Sequence, residues 1–288
     1  MSMLPGGRTI LVRSTTRRRF TLALVLAATL VPRGAAAATL QAHTVKAWDA
    51  YVSATEARIA GEVASPRGFL VSDFSPEAAD VRARILRGET VVSEMSATVR
   101  GGQPLPVPDA VVSHWRGSIF LPGLTLATLL DRLQHPSERG PFPPDVLALR
   151  VLQRQPDALK LFIRMTRSRV VTVTYDTEHD IAYRHHGPHR VSSRSVATRI
   201  AEVDGAGTAA ERQKAPGDDR GFLWRLNSYW RYEEVNGGVI VELESVTLSR
   251  SVPFGLGSVV RPVVDRIARE SIARTLNGIR ETYGRSGS

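Results

Sequence analysis

The sequence predicts an α+β domain in which an antiparallel sheet is covered on one face by a long C-terminal helix. Three observations carry this. Six strand candidates follow one another between residues 147 and 250, separated by polar or glycine- and proline-containing turns. Residues 257–282 close the chain with one apolar stripe: Val260, Val263, Val264, Ile267, Ile272, Leu276 and Ile279. The last two strands alternate so that one face is apolar and the other charged, the pattern of a sheet buried on one side.

Taken in order, the chain opens with a leader. Residues 1–38 hold six arginines and no acid, and Arg19 is followed by an apolar run, Phe20 to Val31, then by Pro32-Arg-Gly-Ala-Ala-Ala-Ala38. A positive start, a short apolar run and small residues read as an export signal, with the mature chain beginning near Ala38 or Thr39. The run is shorter than the roughly 20 residues that span a bilayer. Thr16-Arg17-Arg18-Arg19-Phe20 also matches a twin-arginine signal, so both export routes stay open. The leader also explains most of the formal charge of +10. Without it, 32 basic side chains face 28 acidic ones, too even a balance to predict a nucleic-acid-binding face. The chain has no cysteine, which excludes disulfides, thiolate metal sites and cysteine nucleophiles.

Residues 40–62 predict an amphipathic helix with Leu40, Thr44, Trp48, Tyr51, Thr55 and Ile59 on one face and solvated charges on the others. Ser65-Pro66-Arg67-Gly68 ends it, and an irregular stretch to Gly88 leads to a strand near Thr90–Thr98. The division expected is an N-terminal helical segment over 39–92 and a main domain over 93–284. Val111–Leu121 reads as a strand and Leu124–Leu133 as a short helix. Pro141-Phe-Pro143-Pro144 introduces a second short segment, and the six strands and the closing helix follow.

The final hairpin can be registered by counting. Asn236-Gly237 suits a two-residue type I′ turn, in which both positions take positive φ. Val235 then pairs with Gly238, Tyr232 with Val241, Trp230 with Leu243, Ser228 with Ser245 and Leu226 with Thr247. On the other face Arg231 meets Glu242, an opposite-charge pair that supports this register. That face, with Arg225, Glu233 and Glu244, is expected to be solvated, and the C-terminal helix to cover the apolar one.

The element order resembles the helix-grip fold of the SRPBCC superfamily, which includes START-like and polyketide-cyclase-like proteins. The resemblance spans about residues 95–283. Ser113-His114-Trp115-Arg116-Gly117-Ser118-Ile119-Phe120 carries it, as do the stretches Gly221–Trp230 and Leu248–Gly255, which are similar to exported bacterial members. It implies a curved antiparallel sheet wrapped around the C-terminal helix, with the N-terminal helix as an addition. It also implies a cavity between sheet and helix for a hydrophobic small molecule or lipid. Trp230, Tyr232, Leu226, Leu243 and Val241 are the lining candidates, with Ser228 and Ser245 as polar fixtures. His114, which alternates with Trp115, is either a donor to the ligand or a buried, paired histidine. The same residues equally describe a filled core.

No catalytic residue, metal or cofactor is assigned. Gly205-Ala206-Gly207-Thr208-Ala209-Ala210 matches a loose dinucleotide pattern, but a polar, proline-broken segment follows it instead of an apolar helix. His179, His185, His186 and His189, with Asp176, Glu178 and Asp180, have metal-ligating chemistry without a spacing that converges. The expected function is an exported carrier in contact with membranes at most peripherally. The alternatives are an enzyme of cyclase, dehydratase or hydrolase type using the same cavity, and an envelope interaction protein with a filled core.

Overall fold

The computed structural model describes residues 40–98, 102–143, 145–168, 172–250 and 257–284, with side chains of the last helix from Arg266 onward. The leader, the stretch Ser251–Gly255 and the side chains of Val260, Val263 and Val264 lie outside the described residues. From Ala38 onward the chain forms one compact unit.

Helix α1 (Ala42–Val63) is followed by a 3-10 turn (Val71–Phe74), α2 (Ala78–Leu86), β1 (Val91–Glu94), β2 (Ala110–Pro122) and α3 (Leu126–Gln134). Then come β3 (Val146–Gln155), β4 (Ala158–Ser168), β5 (Thr172–His185), β6 (Arg190–Asp204), the short β7 (Arg212–Gln213), β8 (Arg225–Val235), β9 (Gly238–Arg250) and α4 (Gly257–Tyr283). One sheet holds all the strands in the order β1-β2-β9-β8-β6-β5-β4-β3, with β7 paired to the end of β6. Every pairing is antiparallel. Only the passage from β2 to the far edge at β3 is a long crossover, and α3 starts it. Thr125 caps α3, its hydroxyl accepting from the Thr128 amide at 3.2 Å.

The sheet grips α4 from both edges. Ile272 and Leu276 pack on Gly117 of β2, where an added Cβ would lie 2.6 and 2.7 Å from their methyl carbons. Across the sheet, Asp145, just before β3, lies 3.3 Å from Arg274 of the same helix and 2.7 Å from Arg167 of β4. Gly117 is where the backbone must come close to the helix, and no larger residue fits without moving it.

The expected hairpin register is the one observed, pair for pair from Val235–Gly238 to Leu226–Thr247. The turn type differs: of its two residues only Gly237 has a positive φ, 87°. Pairing survives because loop length sets the register. Two further expectations are corrected. Among the described residues the second short segment after Pro141 contains no helix and leads straight into β3, and the stretch before Gly88 contains α2, whose Val81 and Ile85 are buried.

The largest correction concerns the charged face, which is not solvated. The N-terminal segment covers it, so the sheet is a middle layer. Trp48 and Tyr51 of α1 pack with Trp224, Tyr229, Val246 and Leu248, while Phe69, Leu70, Val81 and Ile85 pack on Ile240. Between these apolar clusters lies a buried ionic layer. Arg231 and Glu242 are 2% and 1% exposed, and each bonds to the N-terminal segment instead of to the other. Arg231 donates to Glu62 at 2.6 Å and to the Phe69 carbonyl at 2.7 Å. Glu242 accepts from the Val71 amide at 2.6 Å and from the Ser118 hydroxyl at 3.0 Å. Glu233 accepts from Arg82 and Arg190 at 2.8 and 3.0 Å. Buried charge persists only when paired and hydrogen-bonded, and here Glu62, Phe69, Val71 and Arg82 of the N-terminal segment supply partners together with Ser118 and Arg190 of neighbouring strands. Glu62 of α1, expected among its solvated charges, is one of those partners, and Arg58 of the same helix joins Glu62 to Glu244.

Candidate functional site

Strand pairing assigns each side chain on the α4 side of the sheet to a row. One row runs Val191–Tyr232–Val241–Ile119 across β6, β8, β9 and β2. It is solidly packed: all four are buried in the main core with Leu121 and Leu276. The next row is Tyr183–Ser193–Trp230–Leu243–Gly117, where α4 makes its close approach. Trp230 is half-buried there and stacks on Tyr232, with ring centroids 6.4 Å apart.

One row further, the packing changes character. Ile181, Ser195, Ser228, Ser245 and Trp115 follow one another across five strands. Three adjacent serines at the centre of a sheet are too short to fill the space that leucines would fill. Ser228 and Ser245 stay half-buried, as do Trp230, Ile181, Ile163 and Leu226 around them. The inner face is thus tightly buried at the Leu121 end and only half-buried along most of the serine row.

A polar group lies beside that row. His179 is 5% exposed and faces inward with Ile181, opposite in parity to Asp176, Glu178 and Asp180. Its Nε2 is 2.9 Å from Thr177 Oγ1 and its Nδ1 is 3.4 Å from Ser195 Oγ. Burial pushes its pKa down to about 4, so the imidazole is neutral at pH 7. Tyr232 reaches Ser193 at 3.4 Å, and burial raises its phenol well above the usual range, with Tyr183 adding to the shift. At the far end of β5, Tyr175 is buried near the Glu202–Lys214–Arg220 cluster, where Glu202 contacts Lys214 at 2.8 Å and Arg220 at 2.6 Å.

The eight residues singled out from sequence therefore fall into three places. Trp230, Leu226, Ser228 and Ser245 lie half-buried at or beside the serine row. Tyr232, Val241 and Leu243 belong to the closed core beside it. His114 is on the opposite face, because it pairs with Val246 while Trp115 pairs with Ser245. There it forms a buried chain under α1. Its Nε2 is 2.6 Å from Glu244, its Nδ1 is 2.9 Å from Tyr51 Oη, and that oxygen accepts from the Ala97 amide. Burial alone would raise the Glu244 pKa, but the hydrogen bond from His114 and the charge of Arg58 hold it below the usual carboxylate range. The other histidines disperse: His186 bonds Ser192, His185 lies near Asp157 and His189 near Glu234. In the glycine-rich loop, the Gly207 amide donates to the carboxylate of Glu211, 2.8 Å away.

A curved antiparallel sheet closed around a C-terminal helix, with an apolar inner face, defines the architecture. The fold is a helix grip. No protein-family model matches the sequence, and no curated protein does. Solved structures similar to this chain include a STAR-related lipid transfer protein from Xanthomonas axonopodis, at 16% identity over 61% of this chain and 94% of that one, TM-score 0.42. Human StAR-related lipid transfer protein 5 is 13% identical over 72% and 93%, TM-score 0.40. The ZhuI aromatase/cyclase from a Streptomyces species is 9% identical over 59% and 92%, TM-score 0.38. At these values the likeness says nothing about activity, and the architecture rests on the strand order and the gripped helix.

Proposed function

We propose that this protein binds or carries a hydrophobic small molecule or lipid, held between the sheet and α4, after export from the cytoplasm. The observation that carries the reading is the serine row. Where a packed core needs branched apolar side chains, Ser195, Ser228 and Ser245 stand instead, beside half-buried Trp230, Leu226, Ile181 and Ile163. Apolar walls with a few polar fixtures are the composition of a small-molecule site. Among the described residues no helix is long and apolar enough to cross a membrane, and the arginine-rich leader supports export as the route to an envelope.

A second reading, an enzyme using the same space, draws on His179, a buried histidine with a shifted pKa on the inner face. Its geometry favours binding. A base whose conjugate acid has a pKa near 4 takes up a proton poorly at neutral pH. The group at its other nitrogen is the Thr177 hydroxyl, which cannot stabilise an imidazolium as a carboxylate does.

The test is native mass spectrometry of the protein purified from the envelope fraction of its own cells. The expected result is a leaderless chain carrying a bound hydrophobic molecule that organic extraction releases. A chain that is always ligand-free, or retained in the cytoplasm with its leader, contradicts the reading.

A further inference from the structure

The hydrogen bonds around His179 have a direction, and it determines what the chamber offers a ligand. Thr177 Oγ1 lies 2.8 Å from the Ile163 carbonyl across the β4–β5 pair, and a carbonyl only accepts. The single hydroxyl proton of Thr177 is therefore committed. His179 Nε2, 2.9 Å from the same oxygen, must carry its own proton and donate it. The neutral ring then has a lone pair at Nδ1, which needs a donor, and the group facing it is the Ser195 hydroxyl. At 3.4 Å that bond is long. Every proton in the chain points toward the Ile163 carbonyl, so the other end of the chain is an acceptor: the Ser195 oxygen or, behind it, Nδ1.

We infer that the ligand places a hydrogen-bond donor at Ser195, and that it is a hydrophobic alcohol rather than a ketone or a carboxylate. This rests on the chamber proposed above. A ligand hydroxyl donates to the Ser195 oxygen while Ser195 donates to His179, and every polar atom is satisfied. A carbonyl or carboxylate brings only acceptors. To meet one, Ser195 must rotate its proton away from Nδ1 and leave a buried imidazole lone pair unpaired, which costs more than the new bond returns. Ser228, the direct neighbour of Ser195 across β6 and β8, lets the donor approach along the row.

The experiment is displacement of the fluorescent hydrocarbon diphenylhexatriene by a matched set sharing one chain length: dodecanol, the corresponding methyl ketone and dodecanoate. The alcohol should bind about tenfold more tightly than the ketone, the equivalent of one neutral buried hydrogen bond. In His179→Phe, where Ser195 is free to donate or accept, the preference should fall to within about twofold. Independently of any variant, long-range proton–nitrogen NMR should find His179 neutral with its proton on Nε2. Equal binding of alcohol and ketone by the wild type overturns the inference while leaving the chamber standing. So does a preference unchanged in His179→Phe, or a proton found on Nδ1. If diphenylhexatriene itself does not bind, the chamber fails and the inference fails with it.

Discussion

His179 links the chemistry of the chamber to the stability of the fold. Its folded pKa is depressed, from 6.5 to about 4, because burial disfavours the imidazolium. The unfolded chain therefore takes up the proton first, and the stabilising contribution, complete above pH 6.5, is lost as the pH falls toward 4. Between pH 6.5 and 5 the wild type should lose about 1.5 kcal/mol more than His179→Gln, a residue that keeps a donor and an acceptor but does not titrate. Urea unfolding at the two pH values measures this. Parallel pH dependence in the two proteins would mean that His179 is not buried as a neutral base. The residue had a legible signal: its odd position among Asp176, Glu178 and Asp180 places it on the other face of a strand. What the sequence did not display was its partner. Ser195 is brought beside it by the β5–β6 pairing, whose register shifts at a bulge next to His179 itself.

At the scale of elements, the β8–β9 hairpin shows what alternation does and does not specify. Counting from a two-residue loop placed each pair correctly, because a slip of one residue would turn every side chain to the opposite face. Alternation says that the two faces differ, but not that the polar one meets water. Its cover comes from Glu62, Phe69 and Val71, about 170 residues away in sequence, in a segment whose α2 is only nine residues long. The energetics change accordingly. An exposed Arg231–Glu242 pair would contribute at most about 1 kcal/mol, whereas removing one partner from a buried network costs about 3 to 5 kcal/mol. Arg231→Ala should fall in the larger range. A double-mutant cycle should find stronger coupling between Arg231 and Glu62, which share a direct hydrogen bond, than between Arg231 and Glu242, which face each other across β8 and β9 without one. The reverse order of couplings would return Arg231 to the surface and detach the N-terminal segment from the sheet.

At the scale of the whole molecule, the sheet separates two kinds of interior. The outer one is ionic and covered by the N-terminal segment, with its charges held by partners from that segment and from neighbouring strands. The inner one is apolar, closed where Ile272 and Leu276 press on Gly117 and only half-buried where serines stand in place of branched side chains. The alignment of elements was readable from their order, and alternation put Trp230, Leu226, Ser228 and Ser245 on the face toward α4. The closure of Tyr232, Val241 and Leu243 depends on where α4 meets Gly117, a contact between parts of the chain more than 150 residues apart. The central claim is that the serine row is empty space for a ligand, and Ser228→Leu tests it most directly. Diphenylhexatriene is titrated into the wild type and the variant, and the melting temperature of each is recorded. The account predicts saturable micromolar binding to the wild type, binding at least tenfold weaker in Ser228→Leu, and a melting temperature equal or higher, because the leucine fills a void. Undiminished binding by Ser228→Leu, or a collapse of its stability from overpacking, would show that no chamber lies above the row.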